Sequence, residues 1–112
     1  MAKASSRTYS RYSLEAMTLL GNLIRVARKE REMTAQELAD RAGISRGLLQ
    51  RIEKGDPKCE LGATFEVATI VGIKLFDTEA TTLTHHIRQM EDKLALLPKS
   101  VRKKAEIVDD DF

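Results

Sequence analysis

A chain of 112 residues, 42% hydrophobic and 32% charged, has room for one compact core with a further element at either end. No apolar run approaches the roughly 20 residues of a membrane span, the opening Met-Ala-Lys-Ala-Ser-Ser holds no signal-like apolar stretch, and the single Cys59 can form no internal disulfide, so a reducing cytoplasm is the expected location. The net charge of +2 conceals an asymmetry: residues 1–58 carry twelve Lys/Arg against seven Asp/Glu, and residues 59–112 carry seven against ten, which puts the surplus suited to phosphate in the front half.

Residues 1–12 are polar and basic (Lys3, Arg7, Arg11) and read as a flexible arm. From Ser13, an expected N-cap, Leu14, Met17, Leu20, Leu23 or Ile24, and Ala27 recur at helical spacing and predict a first helix to about Glu32. Thr34 followed by Glu37 forms a capping box that opens a second helix, with Leu38, Ala39 and Ala42 on its inner face. Gly43 closes that helix, because a residue without a side chain accepts the left-handed backbone of a C-cap. Ser45 caps a third helix only two residues later. Leu48, Leu49 and Ile52 supply its inner face, and Gly55-Asp56-Pro57 stops it.

A fourth helix fits Leu61–Val71, burying Leu61, Phe65, Ala68 and Ile70 or Val71, after which Leu75 and Phe76 should enter the core. No stretch alternates with the period of two that a strand needs, so the predicted fold is all-α. A fifth, extended helix is expected over residues 78–97, with Leu83, Ile87, Met90, Leu94 and Leu97 at the alternating spacing of a coiled-coil seam. That seam calls for a partner: this domain or, as the favoured reading, a second copy in a homodimer. Pro98 ends the helix, and residues 98–112 read as a disordered tail. The domain layout is then an arm (1–12), a helical domain (13–77), a helix suited to dimerisation (78–97) and the tail.

The second and third helices are joined by a turn of about three residues, with small Ala39 before it. Such a turn makes the helices cross steeply and leaves the third projecting as a rod that fits the major groove. Enzyme readings find no constellation. His85 and His86 are adjacent, about 100° apart on a helix, and make poor joint metal ligands. Cys59 has no base or resolving cysteine beside it in sequence, and no glycine-rich phosphate loop occurs. No cofactor and no metal are expected.

The run MTAQELADRAGISRGLLQRIEKG, residues 33–55, resembles the helix-turn-helix domain of the XRE group, which includes phage repressors and HipB-like antitoxins. The likeness covers residues 20–76 and implies a five-helix, lambda-repressor-like fold that binds double-stranded DNA at a palindromic operator. By position it implies Arg46, Gly47, Gln50 and Arg51 as residues facing base edges. Arginine can bond guanine in bidentate fashion, and glutamine can bond adenine; contact with phosphate alone is the other reading of each arginine. Thr34 and Ser45, at helix N-termini, suit phosphate as well as capping. Lys54 and Lys58 are further phosphate candidates that would set register without reading sequence. Many members of the group carry a glutamine directly after the residue matching Thr34. This chain has Ala35 there and Gln36 next, so Gln36 is a displaced candidate for that phosphate. The resemblance also implies an Arg28–Glu53 ion pair with a structural role.

The seam helix, Leu96-Leu97-Pro98-Lys99 and the Val108-Asp109-Asp110-Asp111-Phe112 end resemble chains encoded beside HipA-like kinase toxins. The favoured functional expectation is therefore an autorepressing antitoxin. A stand-alone phage- or plasmid-type repressor is the alternative, and an interaction adaptor without DNA binding is the reading from another class.

Overall fold

The computed structural model describes residues 8–76 and 80–103. Among them are five α-helices and no strand: α1 (Arg11–Glu30), α2 (Ala35–Ala42), α3 (Arg46–Glu53), α4 (Leu61–Ile70) and α5 (Ala80–Leu96). The all-α, five-helix expectation holds. The chain divides into two units, Met1–Phe76 and Asp77–Phe112.

In the first unit α1 starts three residues before the expected position. Ser10 rather than Ser13 is its N-cap, and the Ser10 hydroxyl accepts the Ser13 N–H at 3.2 Å, so the last two residues assigned to the arm are helical. The helix also stops at Glu30 and not at Glu32. Arg31 caps it, and Glu32 takes a φ of 54°, a left-handed conformation in which a side chain is strained. The α2 capping box is complete: Thr34 Oγ1 accepts the Glu37 N–H at 3.0 Å, and a Glu37 carboxylate oxygen accepts the Thr34 N–H at 2.8 Å. Gly43 closes α2 at φ 71°.

Ile24, Leu38, Ala39, Leu49, Ile52, Val67, Ala68 and Val71 make the core, contributed by α1, α2, α3 and the end of α4. At about 25 cal/mol per Å² of apolar surface removed from water, this cluster is the main stabilising contribution. The inner face of α1 uses Ile24; Leu14 and Leu23 are 40% and 46% exposed. In α4, Val67, Ala68 and Val71 are buried, Phe65 is half-buried and Leu61 is exposed. Seven of the ten α4 residues are apolar or glycine, on all sides of the helix, so spacing alone could not select the buried side. Leu75 packs on the core, but Phe76 remains exposed and stacks on Phe65 with ring centroids 6.4 Å apart.

The second unit contains α5. Leu83, Ile87, Met90 and Leu94 fall on one stripe and all are exposed. Leu97, the last residue of the expected seam, lies just past the helix, where its N–H bonds the Leu94 carbonyl at 3.2 Å. The expected helix start at residue 78 and the tail from residue 104 lie outside the described residues.

Candidate nucleic-acid interface

Eight residues are too few for a helix to persist alone in water, so α3 depends on what holds it. Its N-terminus is capped by Ser45, whose hydroxyl accepts the Leu48 N–H at 3.0 Å. On α2 the fully buried Ala39 offers only a methyl group at the crossing. At the other end, α1 approaches to within backbone distance. A Cβ added to Gly21 would stand 2.6 Å from the Glu53 carbonyl oxygen and 2.7 Å from that of Ile52. Gly55 repeats the pattern, because a Cβ there would meet the Thr18 backbone at 2.7 Å, and its φ of 80° further favours glycine.

A buried ion pair fastens the same junction. Arg28 Nε donates to one Glu53 carboxylate oxygen at 2.7 Å and a terminal guanidinium nitrogen to the other at 3.0 Å; the second terminal nitrogen donates to the Met33 carbonyl at 3.0 Å. Both residues are under 10% exposed. The hydrogen bonds to Glu53 hold the Arg28 pKa above its ordinary value against the cost of burial. A bidentate pair fixes orientation as well as distance, and this one ties α1, α3 and the α1–α2 turn together.

With Leu49, Ile52 and Glu53 buried and Leu48 half-buried against the core, the remaining α3 positions face solvent: Arg46, Gly47, Gln50 and Arg51, then Lys54 as the C-cap. Gly47 lies in the middle of this face. A Cβ there would meet nothing nearer than Ser45 Oγ at 4.0 Å, so no contact within the chain demands glycine. Arg46, Gln50 and Lys54 line one wall of a groove of ≈ 360 Å³, with Arg25, Lys29 and Ala35 among its other lining residues. Four cations around a groove whose one buried acid is already paired make a surface suited to a phosphate backbone.

Arg51 stands on the other flank. Its Nε donates to Asp56 at 3.1 Å, which leaves the two terminal nitrogens for a ligand. Asp56 also accepts the Lys58 N–H at 2.9 Å. That backbone hydrogen bond, with the one from Arg51, holds the Asp56 carboxyl below its usual range. The Lys58 side chain is exposed in the loop after α3.

Two other phosphate candidates are engaged within the chain. Thr34 caps α2 as Ser45 caps α3, and each cap hydroxyl, accepting a backbone N–H, keeps its own O–H to donate. The Gln36 amide donates to Asp40 one turn along at 2.8 Å, so its side chain is held beside an acid. Ala35, not Gln36, lines the groove. Arg25 and Lys29 were missed by the sequence reading. The signal was available, because an Arg28–Glu53 pair turns α1 toward α3 and brings the basic residues at 25 and 29 to the edge of α3.

Cys59 is half-buried near Asp56, and burial raises its thiol pKa, which favours the unreactive protonated form. His85 and His86 are exposed on α5 with their rings tilted and centroids 6.1 Å apart. Among the described residues no group of three His, Cys, Asp or Glu is placed to hold a metal ion, and no helix is long and apolar enough to cross a membrane.

Residues 19–73, a little under half of the chain, match a family model described as a helix-turn-helix domain. The match begins in α1 and ends just after α4, so it spans the groove, the α2–turn–α3 unit and the buried ion pair. No curated protein matches the chain.

Proposed function

We propose that this helix-turn-helix chain is a sequence-specific DNA-binding transcriptional repressor that acts in the cytoplasm as a homodimer on a palindromic operator. The observation that carries the reading is the solvent face of α3. Arg46, Gln50 and Arg51 project from a helix locked at both ends, beside a groove lined by Arg25, Lys29 and Lys54. Base edges are read by the first three, at roughly 1–3 kcal/mol for each good bidentate contact. Lys54 and Arg25, with Ser45 at the α3 N-terminus, hold phosphates and set register. Gly47 lets the α3 backbone come close to the duplex. The exposed seam of α5 supports pairing of two chains.

The decisive experiment is selection of bound sequences from a random duplex pool, followed by titration of the winner. Arg51→Ala should lower operator affinity by tenfold or more and leave random-duplex affinity nearly unchanged; equal losses on both would reduce Arg51 to a phosphate contact. Arg25→Ala should weaken both and flatten the dependence of log affinity on log salt by about 0.9.

The finer proposal is that the repressor is the antitoxin of an autorepressing operon and binds a HipA-like kinase toxin. Its support is the resemblance of the segment from α5 onward to chains encoded beside such kinases. Capture of a kinase-fold protein encoded by the neighbouring gene would support it. A tail that can be removed without consequence, with no such partner, would leave a stand-alone repressor.

A further inference from the structure

α1 turns one face to the core and leaves a second apolar face bare. Tyr12, Ala16, Leu19, Leu23 and Val26 follow at steps of four, three, four and three residues, which keeps them in one stripe along the helix. All five are exposed, Tyr12 to 81%, Leu19 to 58% and Val26 to 53%. The core contacts of this helix are made on another side, by Ile24 with Leu20 and Ala27, so folding of the unit makes no use of the stripe. A continuous apolar strip of nearly four turns is a mark of an interaction surface.

The charges beside the stripe say what covers it. Along one margin Glu15, Asn22 and Lys29 follow at seven-residue steps: an acid near one end, an amide in the middle and a base near the other. A second α1 laid antiparallel about a two-fold axis near the middle of the helix sets Leu19 against Leu23 and Ala16 against Val26. The same operation brings this margin against itself, with Glu15 facing Lys29 of the other copy twice and Asn22 facing its own counterpart. A parallel pairing would leave both charges without a partner of opposite sign. Among the described residues Glu15 pairs with Arg11, at 3.4 Å with side chains 70% and 91% exposed, a contact of little strength in water. Pairing of Lys29 leaves Arg25, Arg46 and Lys54 in the groove.

We infer that the outer face of α1 is a self-association surface, occupied by α1 of a second copy in antiparallel register with Asn22 beside the two-fold axis. It is separate from the seam of α5 and does not rest on it.

The test uses the full chain with Cys59→Ser as background. Asn22→Cys should form an intermolecular disulfide within minutes under copper–phenanthroline at micromolar protein, whereas Glu66→Cys, exposed on α4, should not. The Asn22→Cys cross-link should persist when Ile87→Asp and Leu94→Asp disable the α5 seam. In that seam-disabled background, sedimentation equilibrium should show Glu15→Lys and Lys29→Glu each weakening self-association about tenfold and the double exchange restoring it. Apart from Cys59, which is half-buried, the changed positions are exposed, and circular dichroism checks that each variant is folded. A cross-link no faster at residue 22 than at residue 66, one that disappears with the α5 seam, or a double exchange weaker than either single variant would overturn the inference.

Discussion

α3 and α5 are both amphipathic helices, yet one is anchored on almost every inward side chain and the other shows its whole apolar stripe to solvent. α3 has eight residues and could not hold its shape alone; Ser45, Ala39, Gly21, Gly55 and the Arg28–Glu53 pair fix it from both ends and beneath. α5 has seventeen residues, enough for marginal helicity by itself, and Leu83, Ile87, Met90 and Leu94 contribute nothing until they are covered. The contrast separates two ways of building a functional helix. On the proposed reading α3 must be rigid before DNA arrives, because its side chains gain specificity from a fixed frame. On the same reading α5 can be completed by its partner.

The severest challenge to that view is removal of one side of the buried pair. Arg28→Ala leaves the Glu53 carboxylate uncompensated in a site less than 10% exposed, and the expected loss is about 3–5 kcal/mol of unfolding free energy in urea titration. Arg28→Met with Glu53→Leu should recover much of that loss, since the pair's desolvation cost is removed together with its attraction. If the single variant costs under 1 kcal/mol, α3 is not locked as described.

Next in size is the effect on α5. Ile87→Asp with Leu94→Asp should speed amide exchange across α5 by at least tenfold at concentrations where the wild-type chain is paired. Protection in α1 to α4 should stay unchanged. If α5 exchange is the same in both and independent of protein concentration, the stripe is not covered by a second copy.

Most of the α3 frame was legible because its determinants are local. Thr34 with Glu37, Gly43 and Ser45 are capping signals within four residues of the backbone groups they serve, and they mark the ends of α2 and the start of α3. The start of α1 misled because Ser10 and Ser13 are both competent caps, and the structure uses the first. The buried side of α4 was illegible for a different reason: a helix apolar all round offers no polar face to exclude. The close approach at Gly21 was not read either. A mid-helix glycine gives no local sign that two carbonyl oxygens of α3 stand within 3 Å of its missing Cβ. Arg51 is expected at base edges, but its clamp by Asp56 depends on how the chain turns after Lys54, which composition does not reveal.

A smaller effect sharpens the view of α3 as a frame that is loose at one point. Gly47 has open space around it and an ordinary helical backbone, so Gly47→Ala should stabilise the fold by roughly 0.5–1 kcal/mol in thermal or urea unfolding. The same variant should bind operator less tightly if the backbone comes close to the duplex there. Greater stability with unchanged affinity would show that residue 47 does not approach DNA.

The smallest effect concerns Asp56, and it isolates orientation from charge. Its carboxyl is held below the ordinary carboxylate range by hydrogen bonds from the Lys58 N–H and Arg51. A depressed folded-state pKa contributes stability above the unfolded value of about 3.9, and the contribution is lost as pH falls through the lowered folded value. The clamp on Arg51 is therefore intact from mildly acidic to alkaline pH, and operator affinity should show no step assignable to Asp56 between about pH 5 and 8. An NMR titration of the Asp56 carboxyl should find its midpoint below that of an unstructured peptide. Asp56→Asn keeps an acceptor oxygen for the Lys58 N–H but gives up the charge opposite Arg51. It should cost a few-fold in operator affinity, with the loss concentrated at the base that Arg51→Ala also affects. A loss spread evenly over all positions, or a gain on random duplex equal to any change on operator, would mean that Asp56 acts only by lowering the local positive potential and does not aim Arg51.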